Sequence, residues 1–298
     1  MTEEKTQNDS KSRVSFLSKA KREFSKDKVG LISLIVVVSL LLFIFIAAIF
    51  IPTKDFVNVN IMDQFLTPGT SGHILGTDDG GRDELAMLIV ASRNSLFISI
   101  SFTVLTTIIG LIIGLTAGYF GGGVDWGIMR LTEFLQLLPT MMLVMVVVTI
   151  VSEYNAVTLI LIFTALSWMS GVRFVRSLTL TQSRLDYVKA SKLSGASPLR
   201  TMLVEILPNL SSFILADLTL NLAGNIGMEV GLSYLGFGLP ASTHSLGTLL
   251  QLATDPNNMT DRLWVWLPSA IVILLFTIAI VSIGQVLRRV ADQRQSLA

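Results

Sequence analysis

Four stretches of this 298-residue chain run for 19 to 24 residues without a charged side chain: 29–51, 97–119, 134–152 and 264–287. A hydrocarbon layer about 30 Å thick is crossed by roughly 20 apolar residues in a helix. Lipid offers the backbone no hydrogen-bond partner, so each N–H and C=O must be satisfied within the segment. These runs therefore predict membrane-spanning helices. Two further segments have the same character in weaker form. Residues 156–172 are uncharged and strongly apolar, while 207–230 begins apolar but contains Asp217, Asn221, Asn225 and Glu229. Only 14% of the chain is charged, against about 25% in a typical soluble domain.

The placement of the charges sets the expected topology, since Lys and Arg accumulate on the cytoplasmic side. Residues 1–28 hold eight of them, the segment 173–205 holds six, and the tail adds Arg288, Arg289 and Arg294. The segment 52–92 has only Lys54 and Arg82 against Asp55, Asp63, Asp78, Asp79, Asp83 and Glu84, and 231–263 has only Arg262. Six spans with both termini cytoplasmic put every basic cluster on one face, and five do not. The expected architecture is an all-α, six-span integral membrane protein. It has a basic leader (1–28), a first span (29–51), an extracytoplasmic loop (52–92), a five-helix core (93–290) with a cytoplasmic loop at about 184–206, and a short tail (291–298). The leader places Val14, Leu17, Ala20 with Phe16, and Phe24 at helical spacing among basic residues. This suits either a helix lying on an anionic leaflet or a partly disordered tail.

Several chemistries fall away. With no cysteine there is no disulfide framework, cysteine-ligated metal or thiol nucleophile. The net charge of +1 gives no field for nucleic acid. Only His73 and His244 are present, so no nucleophile–His–acid arrangement arises. His73 with Asp78, Asp79, Asp83 and Glu84 lacks the calcium-loop spacing. Thr77, Asp78 and Asp83 are better read as caps on helix N–H groups. The glycines at 121–123 lack the G-x-x-x-x-G-K-[ST] pattern that cradles phosphates and read as a tight turn. The expected protein is not an enzyme, and binds no cofactor or metal of its own.

The most informative segment runs Asp186-Tyr187-Val188-Lys189-Ala190-Ser191-Lys192-Leu193-Ser194-Gly195-Ala196-Ser197-Pro198-Leu199-Arg200. It reads as a short helix of small and basic residues ended at Gly195, the residue that most easily takes the left-handed conformation at a helix end. Ser197 then caps a second helix, with Pro198 in its first turn. That helix continues through Leu199, Met202, Leu203 and Ile206 to Leu207-Pro208-Asn209. A helix–break–helix of this kind at a membrane surface presents a compact knob to a soluble partner.

The segment resembles the cytoplasmic coupling loop of ABC importer permeases, whose signature is E-A-A, three residues, Gly, and a later I-L-P. Lys189-Ala190-Ser191 stands for E-A-A, Gly195 keeps its place, and Ile206-Leu207-Pro208 follows. Lys189 replaces the usual glutamate and Ser191 the second alanine. Three other segments narrow the resemblance to the C-type permease of the peptide/nickel class: the run from His73 to Asp83 (HILGTDDGGRD), Ala117-Gly118-Tyr119-Phe120-Gly121-Gly122, and Ser233-Tyr234-Leu235-Gly236-Phe237-Gly238 with Glu229 before it. The resemblance implies a permease subunit of a peptide importer in a bacterial or archaeal cell membrane. It further implies a second, similar permease, two ATP-binding subunits that carry ATP and Mg, and an extracytoplasmic substrate-binding protein. Asp186, Tyr187, Lys189, Ala190, Ser191, Gly195, Ala196, Ser197, Pro198 and Arg200 would then meet the ATPase. Nickel chelates or glutathione-like compounds are alternative cargoes within the class.

Asp217, Asn221, Asn225 and Glu229 recur every four residues and form one slowly turning ridge. A charge at the bilayer centre costs about 2.5–3.5 kcal/mol on insertion scales, so such groups face water or a partner. The ridge is expected to line a hydrated path shared with the second permease, or to hydrogen-bond within the bundle. Asp217 is outside the family pattern and is a candidate for tuning cargo preference. Gly110, Gly114 and Gly118 predict a close helix contact, Trp264 and Trp266 a headgroup-level anchor, and Pro139 and Pro268 kinks. A self-contained secondary transporter or channel, or a membrane sensor or scaffold, are the rival readings. The first would often show an internal repeat, and none is evident.

Overall fold

The computed structural model describes residues 16–52, 57–151, 154–240 and 243–295. The leader before Phe16 (with Val14), Lys54 and Asp55 lie outside these. The described residues form helices α1 (Phe16–Lys26), α2 (Lys28–Phe50), α3 (Glu84–Phe120), α4 (Gly122–Gln136), α5 (Thr140–Ile150), α6 (Ala156–Ser167), α7 (Met169–Ser183) and α8 (Asp186–Leu193). The long α9 (Pro198–Tyr234), the short α10 (Leu246–Gln251) and α11 (Pro256–Thr260), and α12 (Leu267–Gln295) complete the chain. Among the described residues no strand forms, and two isolated bridges, Thr70–His73 and Thr77–Asp83, lie in the loop before α3. Four helices, α2, α3, α9 and α12, are long and apolar enough to cross a membrane, and the number reaches six if each of two bent pairs is one span.

The third and fourth expected spans are each a bent pair of helices, the first bent at Pro139, where a kink is expected. The uncharged run 134–152 is not one helix: α4 ends at Gln136, α5 begins at Thr140, and the two meet at 76°. Pro139 stands at the break in an extended conformation, with φ −68° and ψ 106°. It has no N–H to continue the ladder, and it disfavours helix at the residue before it. The 11-residue α5 is only about 16 Å long, shorter than a bilayer core. The run 156–172 is likewise divided at Trp168, with a 49° bend between α6 and α7. Pro268 produces no kink, because it falls in the first turn of α12, where a missing N–H costs no bond.

Close packing organises the rest. The Gly110–Gly114–Gly118 ridge of α3 lies against α7. A Cβ at Gly114 would stand 2.8 Å from the Val172 carbonyl oxygen and from Val175 Cβ, and one at Gly118 would stand 2.6 Å from Thr179 Cβ. The predicted close contact is therefore between α3 and α7. Phe102 and Phe163 stack at 4.9 Å between α3 and α6. A larger cluster joins α2, α9 and α12 through Val37, Ile226, Phe276 and Val286.

The leader helix α1 spends part of its apolar face on protein, since Ala20 and Phe24 are buried and Phe24 packs in the cluster with Val286 and Leu287 of α12. Asp27 ends α1 and caps α2, accepting from the Gly30 N–H at 2.9 Å, and it also pairs with Arg289 of α12.

Candidate functional site

The segment 184–206 folds as its turn chemistry predicts. The Ala196 N–H donates to the Ser191 carbonyl at 3.2 Å and the Gly195 N–H to that of Lys192 at 3.1 Å. These are the two bonds of a Schellman cap, and Gly195 takes the required φ of +76°. The Ser197 hydroxyl accepts from the Arg200 N–H at 3.3 Å, with Pro198 in the first turn of α9.

One feature differs from the sequence reading: the second helix of the knob does not stop before the fifth span. It is the start of α9, joined through a wide turn at Thr201–Ile206. There the Leu207 N–H reaches back five residues to the Met202 carbonyl, so Pro208 enters without breaking the helix. Asn209 Nδ2 donates to the Glu205 carbonyl at 2.8 Å, a side-chain bond beside the altered ladder.

The knob is fastened on one side and open on the other. Val188 is fully buried and packs with Leu115, Val175, Met202 and Ile206. Lys192 Nζ lies 4.3 Å from the centre of the Tyr119 ring on α3. The Tyr187 hydroxyl donates to Gln182 Oε1 at 2.8 Å, and burial pushes its phenol above the ordinary value. Asp186, Lys189, Ala190, Gly195, Ser197, Pro198 and Arg200 are exposed, while Ser191 and Ala196 are half-buried. Lys189, at the usual glutamate position, bonds Asp186 at 3.0 Å. Both side chains are well exposed, so this pair adds little stability.

The polar ridge of α9 divides in two. Successive members are turned by about 40°, so Asp217 and Glu229 differ by about 120°. Asn221 Nδ2 donates to Asp217 Oδ2 at 2.8 Å, and Asn225 Nδ2 donates to Thr103 Oγ1 of α3 at 2.7 Å. With Thr106, Thr107, Ser167 and Ser170 these three line a crevice of about 40 Å³ between α3, α7 and α9. Glu229 faces inward instead and is fully buried. It accepts from the Ser233 hydroxyl at 2.8 Å, and Ser95 and Ser245 also face its carboxyl group. Nearby, Ser95 Oγ accepts from the Leu246 N–H at 2.9 Å and Asn94 Nδ2 donates to the His244 carbonyl at 2.8 Å. Glu229 therefore sits in a polar junction tying α9 to α3 and α10.

The sequence reading passed over Thr103, Thr106, Thr107, Ser95, Ser167 and Ser170. A signal for the α3 members was present: Ser92, Ser95, Ser99, Thr103 and Thr106 recur every three or four residues, a hydroxyl stripe on one helix face.

The loop before α3 is also knitted by its acids, though not as predicted. Asp83 alone caps α3, accepting from the Ala86 N–H at 2.8 Å, and also bonds His73 Nδ1 at 2.7 Å. Thr77 and Asp78 hold the loop itself. The Asp78 carboxylate accepts from the N–H groups of Gly80 and Arg82 at 2.9 and 2.8 Å and pairs with the Arg82 guanidinium at 2.8 Å. Burial nevertheless pushes its carboxyl above the ordinary aspartate value, against the lowering effect of Arg82. Trp264 Nε1 donates to the Thr77 carbonyl at 3.3 Å, pinning this loop to the start of α12.

Comparison with known proteins adds to this geometry. Residues 110–297 match the family described as binding-protein-dependent transport system inner membrane component, and residues 15–68 match the N-terminal TM domain of oligopeptide transport permease C. The chain is 48% identical over 296 residues to the oligopeptide transport system permease protein OppC of Lactococcus lactis, covering 99% of each. It is 32% identical to the dipeptide transport system permease protein DppC of Haemophilus influenzae, covering 91% of this chain and 92% of that one. Its fold is similar to that of an inward-facing MetNI methionine ABC transporter structure. The TM-score there is 0.55 at 17% identity, over 69% of this chain and 97% of the other.

Proposed function

Since the chain belongs to the binding-protein-dependent transport system inner membrane components, in their oligopeptide permease C branch, we propose that it is one of two permease subunits of an ATP-driven peptide importer. In this reading six spans cross a bacterial cell membrane, both termini are cytoplasmic, and the knob of α8 and the start of α9 faces the cytoplasm. An extracytoplasmic binding protein delivers peptide, and two ATP-binding subunits supply ATP and Mg. The exposed groups of the knob, from Asp186 and Lys189 through Gly195 to Arg200, seat against one ATPase. Tyr187 and Val188 hold the knob to the bundle from beneath.

The observation that carries this reading is mechanical. The second half of the knob and the polar face of α9 belong to one 37-residue helix, and Val188 of α8 packs on Met202 and Ile206 of that helix, so displacement of the knob is delivered along it to Asp217, Asn221 and Asn225. Those residues line a path that opens alternately to the two sides as the permeases rock. Glu229 holds the far end of α9 against α3 and α10, giving the motion a fixed point. Purification of the chain with its partners from the native membrane, followed by reconstitution, tests the proposal. The expected result is co-purification with an ATPase and a second permease, and peptide uptake that needs ATP. Peptide uptake by the chain alone without ATP would refute it.

A further inference from the structure

Asp217 is a carboxylate near the middle of a membrane helix whose hydrogen-bond partner in the structure is a neutral amide, Asn221. The ion pairs of the described residues leave it out. The guanidiniums on the adjoining helix α7 are already engaged on α4: Arg173 donates to Gln136 Oε1 at 2.6 Å, and Arg176 pairs with Asp125. A second polar group in the same crevice is also unmet, since Ser167 Oγ is buried without a hydrogen-bond partner and lies at the α6–α7 bend. A carboxylate is costly to place in a span, and one with neutral neighbours and no counter-ion among the described residues is arranged for a cation that comes and goes.

The crevice sets one carboxylate among hydroxyls and neutral amides. The three donors of an ammonium match a carboxylate and hydroxyls. A planar guanidinium asks for both carboxylate oxygens, and Asp217 Oδ2 already accepts from Asn221.

We infer that Asp217, with Ser167 and Asn221, forms a transient subsite for a primary ammonium group of the passing peptide, and so favours lysyl over neutral cargo. The inference rests on the peptide-permease reading above. Binding in this subsite is necessarily weak, because a cargo held tightly at mid-membrane would not leave. The ammonium has two sources, a lysine side chain or the peptide's own N-terminus.

The test uses the complete transporter in proteoliposomes, with peptide loading of the binding protein measured separately so that uptake is compared at equal occupancy. The cargoes are alanyl, lysyl and arginyl tripeptides, and the alanyl and lysyl peptides with acetylated N-termini. Loss of one partly exposed ion pair predicts that Asp217→Asn lowers the lysyl-to-alanyl uptake ratio by up to about fivefold. Asp217→Asn also lowers the lysyl-to-arginyl ratio, and Asp217→Glu restores both. Loss confined to the free-against-acetylated comparison assigns the site to the terminal ammonium and also supports the inference. Asn221→Asp, which adds a carboxylate beside the first, is the second variant and raises the preference for ammonium-bearing cargo. Unchanged ratios in both Asp217→Asn and Asn221→Asp overturn the inference while leaving the permease reading intact. A wild-type complex that imports none of these peptides overturns the permease reading itself, and the inference with it.

Discussion

Gly195 offers the sharpest test of how the knob works. Its φ is +76°, and a Cβ built there meets nothing within 4 Å. Any penalty for substitution is therefore conformational and contains no steric clash. An L-residue in the left-handed region costs about 1–2 kcal/mol, with Asn the best tolerated after Gly. That range changes a two-state equilibrium by roughly 5- to 30-fold, here between the Schellman-capped knob and a frayed α8. The order expected for peptide uptake per ATP hydrolysed is Gly, then Asn, then Ala, with Val lowest because its branched side chain is the stiffest. The decisive measurement is paired uptake and ATP hydrolysis by the purified transporter in proteoliposomes. In Gly195→Val the ratio is expected to fall by up to the factor above, with ATP hydrolysis continuing. If Gly195→Val retains the wild-type ratio, the knob does not couple. If Gly195→Asn is as poor as Gly195→Val, backbone conformation is not what Gly195 supplies.

Two further outcomes follow from packing and charge. Gly114→Leu places bulk where even a Cβ would stand 2.8 Å from the Val172 carbonyl. It should cost about the 1–3 kcal/mol typical of overpacking or more and lower the thermal midpoint, whereas Gly127→Ala, inside α4 with a Cβ that meets nothing within 4 Å, should leave the midpoint unchanged or raise it. The Asp27 carboxyl is held below its ordinary value of 3.8 by the Gly30 N–H and then by Arg289. Its contribution to the α1–α2–α12 junction is therefore present above that value and lost as the pH falls through the lowered one. Spin labels on α1 and α12 should separate under acid in the wild type, while Asp27→Asn should show no such pH dependence in that range.

How much could be read beforehand depended on how local the cause was. The knob was legible because Gly195, Ser197 and Pro198 each dictate their own backbone geometry. The α3–α7 contact was half legible: three glycines four residues apart mark a face for close approach, but not which helix takes it. The bend at Pro139 was legible from the proline, but the one at Trp168 was not, because an uncharged run records that lipid or protein surrounds a segment and is silent on its direction. A charge-free run also understates the length of a helix: Arg93 bounds the stretch, yet α3 extends N-terminally to Glu84. The separation of Glu229 from the rest of its ridge depends on Ser95, 134 residues earlier in the sequence, and no local pattern carries that.

The wide turn at Thr201–Ile206 has one more consequence. Pro198 and Asp217 are connected by a continuous helical rod, so the angle between the part of the knob that the rod carries and the crevice is a phase, set by the number of residues between them. One residue added or removed there turns the knob by about 100° around the axis without disturbing a single cap, whereas an insertion in the loop before α3 would be absorbed. The wide turn accommodates one residue beyond a regular helical turn and so sets that phase. In this stretch of the chain, spacing itself is the constrained quantity, more than the identity of most of the residues that fill it.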